Sequence, residues 1–254
     1  MKVGIFYQMW QGNQKAAYES LKQIRKVYPD NEIAILVVGV KREDLDLYEN
    51  SYLSIIRRDF NIKKIEHLHK DDNIGYFDQG RTVDDLLEYN DILLEKTLYM
   101  FEESTEYVIN ASEDLYIFKE IPINPNFDVC GNPRPWDYWM KEEMKEKFNY
   151  DKFSDFIWFQ HGHYLNLKKL KEVFNQQKRD YVIKTLKDLY PNELSIFSDF
   201  FIGVWCALAY DTFSRADYLL ELPSEITEET PLETFNRTDC YARHGYKALY
   251  NQPL

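Results

Sequence analysis

The hydrophobic positions in the first half of the chain alternate between a strand-like and a helix-like spacing. Residues 2–7 (KVGIFY) and 32–40 (EIAILVVGV) are short, nearly continuous apolar runs, which are typical of strands buried in a parallel sheet. Residues 14–29 place their apolar side chains at helical intervals and end in a proline, as an amphipathic helix does. The same patterns predict strands at 63–70 and 106–112 and helices at 42–60 and 82–104.

This order of elements predicts an α/β fold. Four strands that alternate with three helices favour a mostly parallel sheet with helices on both faces. The second half is less regular, with strands predicted within 127–139 and 153–166, helices at 142–152, 167–177 and 200–210, and a polar tail at 221–254. The sequence has no linker, repeat or low-complexity tract, so we predict a single domain over residues 1–254.

The charge of the chain restricts its partners. The formal net charge is −12, which is poorly suited to nucleic acid, because contact with the phosphate backbone needs Lys and Arg. We therefore expect no nucleic-acid partner. An acidic protein still binds a nucleotide when a divalent cation bridges the phosphates.

The cysteines and the apolar runs bear on the compartment. Cys130, Cys206 and Cys240 are widely spaced and form no CxxC pair, so we expect a reducing, cytoplasmic environment. The N-terminus lacks the apolar core of a signal peptide. No stretch approaches the roughly 20 apolar residues of a membrane-spanning helix, so we expect no transmembrane segment.

The segment YVINASEDLYIF, residues 107–118, places two adjacent carboxylates between apolar runs. Acidic side chains are rarely buried unless they are paired or bind a metal. Glu113 and Asp114 directly follow the fourth predicted strand, and ligands of open α/β sheets lie at the carboxyl ends of strands. Two interpretations stay open: the acids cap a following helix, or they hold a cation beside a substrate.

Several common site motifs are missing from the sequence. It contains no GxGxxG, no GxxxxGK(S/T) and no GxSxG, which argues against dinucleotide, P-loop and α/β-hydrolase sites. His161 and His163 form an HGH pair without a second group of ligands, so we do not predict a zinc site there.

The order of elements around the acids resembles the nucleotide-sugar half of a GT-A fold glycosyltransferase. In that family a loop with Asn, Gly and Arg precedes a helix, a strand and an Asp-x-Asp motif. Here the loop is DDNIGYFDQGR (71–81) and the motif position is SED (112–114). The resemblance follows the element order over residues 1–210, and it implies a nucleotide-sugar-binding half at 1–118 and an acceptor-binding half at 119–254.

The resemblance implies a metal-dependent glycosyltransferase with Mn²⁺ or Mg²⁺ as its cofactor. Asp114 matches the last acid of the motif and inherits the role of metal ligand, and Glu113 is its helper at the donor. The first motif position is Ser112 instead of an acid, which departs from the family pattern. A hard cation with oxygen ligands neutralises the charge that develops on the nucleoside diphosphate as the sugar leaves.

Two later positions extend the resemblance. Inverting members carry an acid at the start of a late helix, and Asp199 in FSDFFIG matches it as the general base; the alternative is a helix cap. Many members supply a late histidine as a metal or phosphate ligand, and His244 in the tail matches it; the alternative is an ordinary exposed tail.

The remaining candidates surround the expected nucleotide, of UDP or GDP type. The family holds the base after the first strand, which implies Tyr7, Gln8 and Trp10, although Trp10 also suits a structural role over the sheet edge. Asp72, after the third strand, and Arg81, before the long helix, are candidates for the nucleotide and the diphosphate. The acceptor implied by the resemblance is a glycan or glycoconjugate.

Two other functions stay open. A nucleotidyltransferase shares the α/β front half and the metal carboxylates, but it usually has a Gly-rich basic loop after the first strand. Here that stretch, QMWQGNQK, has one Gly and one Lys. A non-catalytic carbohydrate-binding module keeps the fold without the chemistry, and Ser112 in place of an acid favours it.

Overall fold

The computed structural model describes residues 1–69, 82–133, 142–148, 157–158, 163–192, 198–215, 219–221 and 242–244. In its first half, strands and helices alternate as the sequence predicts. These elements are β1 (Val3–Trp10), α1 (Gln14–Val27), β2 (Glu32–Val38), α2 (Leu45–Tyr48), α3 (Ser54–Phe60), β3 (Lys64–Leu68), α4 (Val83–Tyr99) and β4 (Tyr107–Ser112).

The second half is built from shorter strands and further helices. They are β5 (Leu115–Ile117), β6 (Val129–Pro133), α5 (Glu142–Phe148), β7 (Ile157–Trp158), β8 (Tyr164–Asn166), α6 (Leu167–Val173), α7 (Gln176–Leu189), α8 (Ser198–Ala209), β9 (Phe213–Arg215), β10 (Leu219–Glu221) and β11 (Ala242–His244). The single strand predicted within 153–166 is two short strands, β7 and β8.

The prediction of a single helix at 167–177 is wrong. The chain forms two helices there, α6 and α7, which are separated at Asn175. Asn175 has an extended backbone with φ −138° and ψ 165°, and its side chain accepts a hydrogen bond from the N–H of Lys178. Asparagine is a preferred N-cap residue, so it begins the new helix α7. Most of α7 lies beyond the predicted segment, which ends at residue 177.

The helix predicted at 42–60 is a mixture of helical types. A 3₁₀ turn at Arg42–Asp44 leads into α2, and a π-helical turn at Glu49–Leu53 joins α2 to α3. Asn61 ends α3 in the left-handed conformation, with φ 50°. Tyr48 and Tyr52 from this segment are buried against the sheet.

β1 is a central strand of the main sheet and pairs in parallel with β2 on one side and β4 on the other. Among the described residues, the strand order is β3-β2-β1-β4-β8-β6-β7, with β9 paired to β6. β8 is antiparallel to both β4 and β6. The chain moves from β1 to β2 and β3 and then returns to β4 on the opposite side of β1. The strand order therefore reverses between β1 and β4, which is where open α/β sheets bind ligands.

Hydrophobic clusters cover both faces of this sheet. One contains residues of α1 and α3 together with alternate residues of β1 and β2. The other contains α4, α6, α7 and α8, where fully buried Trp205 packs on Phe174 with ring centroids 4.8 Å apart. This architecture confirms the predicted mostly parallel sheet flanked by helices. Along the described part of the chain, no helix has the length and apolar character needed to cross a membrane.

Gly39 directly follows β2 and has a backbone that requires glycine. Its φ is 93°, a region that residues with a Cβ rarely adopt. A Cβ built on Gly39 would lie 3.0 Å from Cζ3 of Trp10, so the indole ring covers the open face of the glycine. The N–H of Gly39 also donates to the Leu68 carbonyl oxygen over 3.0 Å, which joins the ends of β2 and β3.

We expect Gly39→Ala to destabilise the fold by about 1–3 kcal/mol, because alanine is strained at this φ and its methyl group presses on Trp10. The matched control is Gly12→Ala, since a Cβ at Gly12 meets no atom of the described residues within 4 Å. Urea unfolding followed by circular dichroism measures both variants. Equal unfolding midpoints for the two variants would contradict the requirement for glycine at position 39.

Candidate functional site

The carboxyl ends of β1 and β4 bring two loops together at the reversal of strand order. Gln8 of β1 lies in register with Ser112, the last residue of β4. Residues 11–13 then lead into α1, while Glu113 and Asp114 lead into β5. The structure therefore places the predicted acidic turn at the sheet edge where ligands of this fold class bind.

The acidic turn joins two strands, so the helix-capping interpretation of its carboxylates is wrong. β4 ends at Ser112 and β5 begins at Leu115. The backbone N–H of Asp114 donates to Ser112 Oγ over 3.1 Å. Ser112, which replaces the first acid of the family motif, is 5% exposed. Its hydroxyl thus shapes the turn that presents Asp114.

Glu113 faces the protein interior. Its side chain is 3% exposed, and its Oε1 accepts a hydrogen bond from Asn13 Nδ2 over 2.7 Å. Asn13 is the N-cap residue of α1, and the first turn of this helix contains no acid of its own. The carboxylate therefore lies at the positive end of the α1 dipole, where negative charge is favoured.

Buried tyrosines surround this carboxylate. Burial raises the pKa of Tyr7, Tyr48 and Tyr52, and the negative charge of Glu113 raises the pKa of each phenol further. Tyr52 Oη donates to the carbonyl of Gln14 over 2.6 Å at the start of α1. These phenols stay neutral and lie close enough to Glu113 for its charge to raise their pKa.

Asp114 differs from Glu113 because its side chain is partly exposed. A small second sheet forms next to it, in which β11 runs antiparallel to β5 and parallel to β10. In this sheet His244 lies in register with Leu115, the residue that follows Asp114. The backbone thus brings His244 onto the strand beside β5, which begins one residue after Asp114, although the two predicted metal ligands are 130 positions apart in sequence.

The three candidates on β1 have different environments. Gln8 is partly exposed, and its Nε2 donates to the hydroxyl of Tyr89 on α4 over 3.1 Å. Trp10 is partly exposed and lies over Gly39. Tyr7 is fully buried, with its hydroxyl 3.3 Å from the Ala17 carbonyl oxygen. Tyr7 therefore cannot reach a ligand at the sheet edge, and we correct its sequence-based assignment to a core role.

Other predicted positions have less structural detail. Asp72 and Arg81 lie outside the described residues, as does His161. Asp199 is the second residue of α8, so this helix begins slightly before the predicted segment 200–210. His163 is described and is fully buried.

Three polar residues near the edge were missed by the sequence analysis. Besides Asn13, Ser20 of α1 reaches the acidic turn, with its Oγ 3.1 Å from the Ser112 carbonyl oxygen and 2.7 Å from that of Leu115. Asn110 of β4 is 8% exposed, and its Oδ1 has no hydrogen-bond partner within the described residues. Asn110 could have been noticed in the sequence, because it is an asparagine inside an apolar strand. A buried amide without a hydrogen-bond partner is energetically costly and often has a functional role.

The sequence matches no family model and no curated protein, but the fold matches solved structures. The galactosyltransferase LgtC in complex with donor and acceptor sugar analogues superposes with a TM-score of 0.54 at 12% identity, covering 95% of this chain and 86% of that chain. An active-site mutant of LgtC gives a TM-score of 0.52 with the same identity and coverage. The bifunctional glycosyltransferase WbbM gives 0.51 at 10% identity, covering 96% of this chain and 45% of that one. The chain therefore has the GT-A fold of these glycosyltransferases, as its order of elements predicts.

Proposed function

We propose that this protein is a glycosyltransferase that moves a sugar from a nucleotide-sugar donor to a glycan or glycoconjugate acceptor. The observation that supports it best is the position of the acidic turn, at the reversal of strand order in a GT-A fold. LgtC, which shares this fold, was solved with donor and acceptor sugar analogues. A UDP- or GDP-type donor remains our expectation from the sequence resemblance.

Asp114 is the residue that we assign to a Mn²⁺ or Mg²⁺ ion, with His244 as a second ligand. The described residues contain no group of three or more His, Cys, Asp or Glu side chains suited to a metal. One partly exposed carboxylate beside a histidine position still fits these ions, because Mg²⁺ commonly uses one or two carboxylates plus substrate phosphates and water. When bound, such an ion neutralises charge on the diphosphate leaving group.

The nucleoside contacts are assigned to the end of β1. Trp10 offers an aromatic face for a base, and the amide of Gln8 offers hydrogen bonds to a base or sugar. Asn110 lies two positions before Ser112 on the same face of β4, so its open amide oxygen suits a hydroxyl of the donor sugar. Asp72 and Arg81 remain candidates for the nucleotide and diphosphate.

Asp199 is our candidate for the base that takes the proton of the acceptor hydroxyl in an inverting reaction. Asp199 is in the first turn of α8, a largely buried helix, and we assign residues 119–254, which include this helix, to acceptor binding. A buried helix is a rigid support, which a general base needs for a fixed geometry. We also propose a cytoplasmic location, in which the buried thiols of Cys130 and Cys206 stay reduced.

A non-catalytic carbohydrate-binding module is the second candidate function. The observation that favours it is Ser112, whose hydroxyl bonds the Asp114 N–H and leaves a single acid from the motif facing outward. Hydrolysis of a sugar nucleotide in the presence of Mn²⁺ distinguishes the two, because the module has no turnover.

We expect Asp114→Asn to abolish metal-dependent nucleotide binding, because the neutral amide is a much weaker ligand for a hard cation. A thermal-shift screen with UDP, GDP, CMP and dTDP, with and without Mn²⁺, measures this. A nucleotide at 100 times its Kd stabilises the folded state by about 2.7 kcal/mol. Asp46→Asn is the matched control, since Asp46 is exposed on α2.

The expected result is a Mn²⁺-dependent rise with one nucleotide, kept in Asp46→Asn and lost in Asp114→Asn. If no nucleotide shifts the melting temperature of the folded wild-type protein, the assignment of Asp114 fails. An equal response in both variants also removes Asp114 from the site.

We expect Asp199→Asn to keep the nucleotide response of the wild-type protein and to lower transfer by about 10²- to 10⁴-fold, the usual contribution of a general base. Product formation with sugar donors that carry the nucleotide selected by the thermal-shift screen, over a panel of glycan acceptors, gives the rate. Transfer at the wild-type rate would exclude Asp199 as the base.

A further inference from the structure

We propose that Glu113, together with Asn13 and Ser20 of α1, is a positioning clamp that fixes the acidic turn against the loop after β1. This inference rests on the proposed function, in which Asp114 and the end of β1 bind the same donor. It assigns Glu113 a role different from the helper at the donor that the sequence resemblance implies.

The first bond of the clamp joins the two loops directly. Asn13 Nδ2 donates to Glu113 Oε1 over 2.7 Å, between residues 100 positions apart. Asparagine at a helix start normally accepts a bond from the backbone of its own helix, but Asn13 makes no such side-chain cap. Its side-chain amide is therefore used to hold the glutamate.

The second contact holds the backbone on both sides of the turn. Ser20 Oγ lies within hydrogen-bond distance of the carbonyl oxygens of Ser112 and Leu115, the two residues that flank the acids. Ser20 is fully buried. A single hydroxyl with one proton bridges both ends of the turn, which limits how far Asp114 can move.

Glu113 is poorly placed to bind a ligand itself. It is 3% exposed, its carboxylate accepts a hydrogen bond from Asn13, and buried tyrosine phenols lie near it. Pulling it out to a metal would break the bond to Asn13 and remove the anion from the start of α1. Its geometry therefore fits the support of Asp114 and not direct ligation.

The clamp matters because a nucleotide sugar must contact both loops at once. Trp10 and Gln8 lie on the β1 side and Asp114 lies on the β4 side. Binding groups held at a fixed separation by a packed second layer lose less entropy when the ligand arrives. Residues that orient a metal ligand in this way typically change metal affinity by about 10- to 100-fold when mutated.

The first test is independent of any ligand. Hydrogen–deuterium exchange of peptides covering residues 107–118 is measured in wild type, Asn13→Ala and Ser20→Ala. The control is Ser54→Ala, which removes a serine bond to the Asn50 carbonyl at an exposed position where the π-helical turn meets α3. We expect exchange in these peptides to rise about five- to tenfold in the first two variants, as loss of one hydrogen bond predicts, and to stay unchanged in the control.

The second test separates positioning from ligation. Glu113→Gln keeps an oxygen that accepts from Asn13, whereas Glu113→Ala does not. With the nucleotide and Mn²⁺ of the thermal-shift screen, we expect Glu113→Gln to retain most of the wild-type affinity and Glu113→Ala to lose about 10- to 100-fold. The double variant Asn13→Ala/Glu113→Ala should lose no more than Glu113→Ala, because both remove one bond.

Unchanged exchange in Asn13→Ala and Ser20→Ala overturns the clamp. Equal loss of affinity in Glu113→Gln and Glu113→Ala also overturns the clamp. That result would show that binding needs the negative charge of Glu113 and not its hydrogen bond to Asn13. If wild type binds no nucleotide, the proposed function fails and the exchange measurement alone decides whether the clamp exists.

Discussion

The parallel pairing of β1 with both β2 and β4 is the constraint on which the rest of the structure depends. It makes β1 a buried central strand whose alternate side chains enter hydrophobic clusters on both sheet faces. It also directs the carboxyl ends of three strands to one edge. Because the chain leaves β1 in one direction and returns on the other side, the strand order reverses between β1 and β4, which is where open α/β sheets bind ligands.

A buried carboxylate at that edge of the sheet is energetically costly. Glu113 is stabilised by Asn13 and by the start of α1, and buried tyrosine phenols lie near it. Ion desolvation of this kind is normally avoided in a core. The clamp gives Glu113 a role that offsets this desolvation, because it holds the turn that carries Asp114 in one conformation. Local energetic costs of this kind are typical of functional sites.

Local patterns predicted much of the fold but not its interruptions. Short apolar runs and helical spacing identify β1 to β4 and α1 because each element buries its own face, and this information is local. The split at Asn175 and the π-helical turn at Glu49–Leu53 were missed. A cap residue inside a helical pattern cannot be told from an ordinary polar position. A π-helical turn changes the register of the helix but leaves no mark in the amino-acid composition.

The sequence by itself determined the strand–helix order, the absence of common nucleotide motifs, and the placement of Glu113 and Asp114 after a strand end. Only the tertiary structure decided that Tyr7 is core, that Glu113 faces inward while Asp114 faces outward, and that β11 brings His244 beside the turn. The physical reason is the separation in sequence of the residues that interact. Periodicity reports which face of an element is buried, whereas the bond from Asn13 to Glu113 and the pairing of β11 with β5 join positions more than 90 residues apart.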